Sequence, residues 1–263
     1  MSADAKAQHF RSLHRPGKPV VLANVYDPSN AEIVASNPSS EAIATASFAI
    51  AAVHGLDDDA LDLETNLSVV RRVAPIAAKY NKPLTVDMQD GYGDRLEEGI
   101  TSIIEAGASG CNIEDRDNET GKLYPLDQAV ERVKRAVAAA TKAGVPNFAI
   151  NARSDAVVVD SDVDEAIRRG KAYLAAGANT AFIWGGPKRG GLTRAEVEKV
   201  SKALDGRVNV IKSLAPGGLS VQEIADIGVA RISIGPQLYR KAIATVQEAA
   251  SELLEASAKV NAK

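Results

Sequence analysis

The chain is short of the groups that most often declare a chemistry. Its 263 residues hold one cysteine, Cys111, and three histidines, His9, His14 and His54. A single thiol excludes an intramolecular disulfide framework and points to a reducing, cytoplasmic compartment. The histidines all precede the first acidic strand tip, so no His/Cys spacing supports a zinc site. No run approaches the ~18 apolar residues of a membrane span, and Met1-Ser-Ala-Asp-Ala-Lys-Ala-Gln-His-Phe10 lacks the apolar stretch of a signal peptide. A formal net charge of −3 gives no reason to expect nucleic acid or an anionic membrane as partner. No Gly-x-Gly-x-x-Gly follows the first apolar run, which argues against a dinucleotide site. Nor does a linker or shift of composition divide the chain, so residues 1–263 read as one domain.

What is present is an ordinary globular composition, 45% hydrophobic and 25% charged, arranged as short apolar runs alternating with helical spacing. A helix over residues 2–14 precedes the breaker cluster Arg15-Pro-Gly-Lys-Pro19. Strands follow at Val20-Val-Leu-Ala23, Ala42 to Ser47, Leu84-Thr-Val-Asp-Met-Gln-Asp-Gly-Tyr-Gly93, Gly110-Cys-Asn-Ile-Glu114, Asn147 to Asp155, Thr180 to Trp184, Val208 to Lys212 and Arg231 to Gly235. Helical patterns separate them, and a last one runs from Pro236 to Ala258. Eight strands, each followed by a helix, predict an α/β fold, a (β/α)8 TIM-type barrel with an extra N-terminal helix. The doubly wound open sheet is the alternative.

Active sites of such barrels lie at the C-terminal strand ends. The residues expected there are Tyr26 and Asp27, Thr45 and Ser47, Asp87 and Gln89, Glu114, Arg153 and Asp155, Trp184, Lys212 and Gly235. Acids, one arginine and small donors suit a small oxyanion beside a hard, oxygen-bound metal, Mg2+ or Mn2+. Alternation turns Asp87 and Gln89 to one face while Asp90 falls off that line. Asp27 before Pro28 has the form of a helix N-cap. The Asp57-Asp-Asp59 run reads as solvated charge. Arg153 either anchors a substrate carboxylate through its planar fork or pairs structurally with Asp155. Lys188 and Arg189 read as a solvated loop, and Cys111 as an inert buried thiol.

The motifs Asn24-Val-Tyr-Asp27, Ala44-Thr-Ala-Ser47, Gly55-Leu-Asp-Asp58, Val86-Asp-Met-Gln-Asp-Gly-Tyr-Gly93, Asn112-Ile-Glu-Asp115, Asn151-Ala-Arg-Ser-Asp-Ala156 and Ile232-Ser-Ile-Gly-Pro236 occur in an order that resembles the isocitrate lyase/phosphoenolpyruvate mutase superfamily. The resemblance covers nearly the whole barrel. It implies a Mg2+-dependent enzyme that makes or breaks a C–C or P–C bond in small α-keto or α-hydroxy carboxylates. It also implies a homo-oligomer, a dimer or tetramer, with the C-terminal helix packed on or swapped with a neighbouring subunit. Carried over by position, the metal-shell acids fall on Asp58, Asp87 and Glu114, with Gln89 in the metal shell in place of an acid. The carboxylate-binding arginine falls on Arg153. Tyr26, Thr45, Ser47, Phe48 and Trp184 complete the implied substrate contacts, and Ser47 with Arg153 the implied catalytic pair.

The chain departs from the family pattern in three places. Gln89 stands where a second aspartate is usual. The loop Asp115-Arg-Asp-Asn-Glu-Thr-Gly-Lys122 has no cysteine of the lyase kind, and it matches poorly the lysine and asparagine pattern of the mutase and phosphonopyruvate hydrolase loops. The expected activity is C–C cleavage or decarboxylation of an oxaloacetate-like acid through an enolate. P–C bond chemistry is the alternative, and a non-catalytic small-acid-binding barrel is the reading of another class.

Overall fold

A computed structural model describes residues 1–187 and 189–261. Nine strand segments, β1 (Val20–Leu22), β2 (Asn24–Val25), β3 (Ile43–Thr45), β4 (Leu84–Asp87), β5 (Gly110–Glu114), β6 (Ala149–Ser154), β7 (Thr180–Ile183), β8 (Val208–Ile211) and β9 (Arg231–Ser233), form one parallel sheet. Its order is β1-β9-β8-β7-β6-β5-β4-β3-β2. The segments β1 and β2 are a single strand interrupted at Ala23. The first half pairs with β9 and the second with β3, so the sheet closes on itself through one residue. The fold is the α/β barrel expected from the alternation of strand and helix patterns.

Helices wrap the outside because their apolar faces match the strands. Leu63–Lys79 starts at Asp62, whose side chain accepts from Thr65 N at 2.7 Å, and buries Leu67, Val70, Val73, Ala74 and Ala77. Leu126–Lys142 buries Ala129, Val133, Ala136 and Ala140 at the same three- and four-residue spacing. The first helix, Ala3–Ser12, closes the barrel floor. Its Phe10 is fully buried among Val20, Leu22, Ala44 and Ala149. Gly110 makes that plug possible, since a Cβ there would lie 2.9 Å from the Phe10 ring and 2.5 Å from the Ala149 carbonyl.

Above the plug the barrel interior turns polar. Asn151 Nδ2 donates to Asn112 Oδ1 at 2.7 Å, Thr180 Oγ1 donates to Asn151 Oδ1 at 2.6 Å, and Arg231 Nη2 donates to the same Asn112 oxygen at 3.0 Å. The C-terminal helix, Gln237–Asn261, behaves differently from the rest. Only its start packs on the barrel, and Ile243, Val246, Leu253, Leu254 and Val260 are exposed. Among the described residues no helix is long and apolar enough to cross a membrane. The sequence pattern misses the short helix Ala156–Asp160 after β6 and the single helical turn Asp58–Ala60.

Candidate active site

The strand tips open into a cavity of about 1150 Å³. Asp87, the last residue of β4, lines it and is held from three sides. Its N–H donates to Thr45 Oγ1 at 2.8 Å, its carbonyl accepts from Asn66 Nδ2 at 2.9 Å, and its Oδ2 accepts from both Ser47 N and Ser47 Oγ at 3.0 Å. Oδ1 is buried with no partner. The chain then turns sharply. Gln89, Gly91, Tyr92 and Gly93 all take left-handed backbone angles, and a side chain at Gly91 would run within 2.6 Å of Leu96. Asp90 serves this turn, accepting from Tyr92 N at 2.9 Å and from the Tyr124 hydroxyl at 3.1 Å.

Gln89 therefore does not extend the strand face as two-residue alternation predicts. From φ +50° its Nε2 reaches back to Asp58, donating to the backbone oxygen at 2.6 Å and to Oδ1 at 3.2 Å. Its Oε1 is buried and unpartnered, like Asp87 Oδ1. Asp58 opens the short turn Asp58–Ala60 on the cavity wall. Burial, then the charge of Asp87, pushes its carboxyl up to about 6 against the pull of Arg153.

Arg153 on β6 is the cation at the strand tips. Nε and Nη2 donate to the two oxygens of Asp155 at 2.6 and 2.8 Å, and Nη1 pairs with Glu114 at the tip of β5. Those bonds use three of five N–H groups and leave one on each terminal nitrogen. The guanidinium lies 4.1 Å from the Trp184 ring centroid, which fixes its plane. Burial disfavours charge on Arg153, but Asp155 and Glu114 outweigh it and hold the guanidinium firmly protonated. Glu114 is buried and raised well above the usual carboxylate range, with Arg153 opposing the shift.

The remaining expected residues fall around this centre. Ser47, Phe48, Asp58, Asp87, Arg153 and Trp184 line the cavity. Gln89 and Glu114 lie just behind its wall, each bonded to a lining residue. Thr45 supports the Asp87 backbone, and Tyr26 packs edge-on against Tyr239 with ring centroids 5.3 Å apart. Asp27 caps the next helix, accepting from Asn30 N at 2.7 Å. Lys188 is outside the described residues, and Arg189 pairs with Glu196. The 115–122 loop is tied down. Arg116 spans both oxygens of Asp59 at 3.2 Å, and Asp117 closes its own turn on Glu119 N and Thr120 N. Sequence reasoning missed Phe182, whose ring centroid lies 5.7 Å from the Arg153 guanidinium, and the wall where Ser213, Gln237, Arg240 and Lys241 line the cavity.

The donor set can be tested against a divalent cation. At the strand tips Asp58, Asp87, Glu114 and Asp155 lie around Arg153, a local excess of acids that a cation there would offset. Among the described residues no three acid, histidine or cysteine groups converge tightly enough to cage an ion. Asp87 Oδ1 and Gln89 Oε1 are instead buried acceptors without donors. That set fits an ion bound through few direct ligands and its own water, as Mg2+ prefers.

Comparison with known proteins gives the family and the fold. The model of the phosphoenolpyruvate phosphomutase family matches residues 10–254. A Burkholderia cenocepacia crystal structure assigned as a phosphonomutase is 34% identical, covers 95% of this chain and 99% of its own, and superposes with a TM-score of 0.84. Escherichia coli 2-methylisocitrate lyase is 31% identical over 65% of this chain and 62% of its own length. Oxaloacetate decarboxylase of Rhodopseudomonas palustris is 29% identical over 90% of this chain and 79% of its own.

Proposed function

The chain belongs to the phosphoenolpyruvate phosphomutase family of the isocitrate lyase/phosphoenolpyruvate mutase superfamily, and from that membership we propose that it breaks or moves the P–C bond of a small 3-phosphono-2-oxo carboxylate. The superfamily performs Mg2+-assisted enolate chemistry on small carboxylates. The family model and the 34% identical phosphonomutase-assigned structure support the P–C alternative, which we rank ahead of the C–C lyase expected from sequence. The observation that carries the site itself is the pair of orphaned acceptors, Asp87 Oδ1 and Gln89 Oε1, beside an arginine with two spare N–H groups.

Asp87, Gln89 and Asp58 would hold a divalent cation, with Glu114 behind them. Bound there, the cation supplies Lewis-acid stabilisation of the oxyanion that develops as the substrate becomes an enolate. Arg153 takes the substrate carboxylate on its outer N–H pair, and Trp184 keeps the guanidinium from rotating. Asp155 and Glu114 supply that guanidinium's counter-charge. Ser47 fixes Asp87 through two hydrogen bonds and so selects which carboxylate oxygen faces the cavity. Phe48, Phe182 and Trp184 give the cavity an apolar lining and limit water at the reacting centre.

A second reading, C–C cleavage or decarboxylation of an oxaloacetate-like acid, is favoured by one feature. The acidic 115–122 loop, latched to Asp59, brings neither lysine nor asparagine to the cavity lining. Incubation with 3-phosphonopyruvate, oxaloacetate or 2-methylisocitrate, with Mg2+ or with chelator, separates the two. Metal-dependent loss of 3-phosphonopyruvate alone is the expected result. Turnover of oxaloacetate alone supports the second reading, and no turnover of any acid refutes both and leaves a binding barrel. We also propose that a second copy of this chain covers the exposed apolar residues of the C-terminal helix.

A further inference from the structure

The C-terminal helix starts with the wrong charges. A helix N-terminus carries about half a positive charge, so acids stabilise it and cations are disfavoured there. Gln237-Leu-Tyr-Arg-Lys241 has no acid in its first turn, and its fourth and fifth residues are Arg240 and Lys241. Both line the cavity, on the wall formed with Ser213 and Gln237.

That wall is built firmly. Gln237 Nε2 donates to the carbonyls of Lys212 and Ile234, both at 2.7 Å, and its Oε1 accepts from Leu214 N at 2.6 Å. Tyr239 packs on Tyr26 from the other side. Arg240 follows directly, with its guanidinium 4.9 Å from the Phe48 ring centroid. Stacking occupies a guanidinium's face and leaves its in-plane N–H groups available. The other cavity-lining cation, Arg153, is paired with Glu114 and Asp155, and the lining acid Asp59 is paired with Arg116. Among the described residues neither Arg240 nor Lys241 has a carboxylate within 4.0 Å. Arg240, stacked on Phe48, and Lys241 are both solvent-exposed at the cavity edge, set against the helix dipole with no carboxylate of the described residues beside them, so an anion entering the cavity meets two uncompensated cations.

We propose that Arg240, seated on Phe48 and backed by Lys241, forms an anion subsite for the terminal group of the substrate, a phosphonate or a distal carboxylate, while the oxo-acid end lies between Arg153 and Asp87. The inference rests on the proposed reading of the reacting end. It makes Arg240 a determinant of substrate class, because acids without a second anionic end leave it unsatisfied.

Calorimetric titration of the full chain with Mg2+ tests it, using oxalate to fill the reacting end alone and 3-phosphonopropionate and succinate as longer dianions. Arg240→Gln is expected to leave oxalate affinity within about twofold and to weaken the preferred longer dianion by about tenfold or more. Arg240→Lys falls between, because it keeps charge and loses the planar fork. Loss confined to 3-phosphonopropionate names a phosphonate as occupant, and loss confined to succinate names a carboxylate. Equal weakening of oxalate, an unchanged response to the longer dianions, or wild-type protein that binds oxalate but neither longer acid overturns the subsite. Wild-type protein that fails to bind oxalate with Mg2+ overturns the reading of the reacting end instead, and the subsite with it. Matching thermal melts and Lys241→Gln, with a smaller loss in the same direction, separate the effect from misfolding.

Discussion

Replacing Asp58 by asparagine is expected to stabilise the metal-free protein at neutral pH and to remove much of its response to Mg2+. The Asp58 carboxyl is displaced from its ordinary 3.8 up to about 6, by burial first and by the neighbouring charge of Asp87 second. A folded-state value above the unfolded one means that the native chain binds the additional proton. Stability then falls as pH rises between the two values. The whole cost, about 3 kcal/mol for a displacement of that size, is present above pH ~6 and absent below the ordinary value. Asparagine abolishes the titration while its amide oxygen can still accept from Gln89 Nε2, now 3.2 Å from Oδ1. Scanning calorimetry in chelator at about pH 7.5 should find the variant melting higher by on the order of 5 °C, with the two curves converging near pH ~4. Mg2+ should reverse the order, raising the wild type and leaving the variant almost unmoved, since the cation removes the penalty only where a carboxylate carries it. A variant that melts lower than wild type at neutral pH without metal, or equal Mg2+ shifts in both proteins, refutes the assignment of Asp58 to the cation.

Gln89→Asp removes the amide donor to Asp58 and adds a carboxylate beside it, so the metal-free variant should lose about 2–3 kcal/mol by urea denaturation; recovery in Mg2+ is the expected signature, and a metal-independent loss counts against a cation near residue 89. Asp155→Asn removes the charge that holds Arg153 bidentately in a buried position and should cost about 3 kcal/mol, measured by the same denaturation, whereas a loss below about 1 kcal/mol would mean that Glu114 alone suffices. Trp184 is the single tryptophan and stacks on Arg153, so oxalate with Mg2+ should change its fluorescence, and saturating ligand without a spectral change would place the carboxylate elsewhere. A chain shortened to residues 1–242 should sediment as a folded monomer if residues 243–261 are the oligomer contact; an unchanged sedimentation coefficient per subunit assembly would exclude that helix.

The barrel and the grouping of its candidate site residues were legible because both follow from local rules. Short apolar runs ending in polar tips define parallel strands buried on both faces, and a barrel collects their C-terminal ends in one place. Asp87, Glu114 and Arg153 are each the tip of such a run or lie within it, so the fold alone brings them together. Gln89 shows where the rule stops. Alternation holds only while the chain is extended, and β4 ends at Asp87; from a left-handed turn Gln89 meets Asp58, a contact 31 residues away that no period encodes. Arg240 was invisible for a different reason. It belongs to a helix, and patterning sorts helical residues by the face they bury; its charge at a helix start was the only local sign. Arg153 posed a choice between substrate anchor and ion pair with Asp155. The geometry removes the opposition. Asp155 occupies one edge of the guanidinium and Glu114 a single N–H of Nη1, so the ion pairs that immobilise Arg153 leave an N–H on each terminal nitrogen. An arginine held that way loses less conformational freedom when it binds a carboxylate than one swinging in solvent, so the ion pairs favour the proposed anchoring role instead of competing with it.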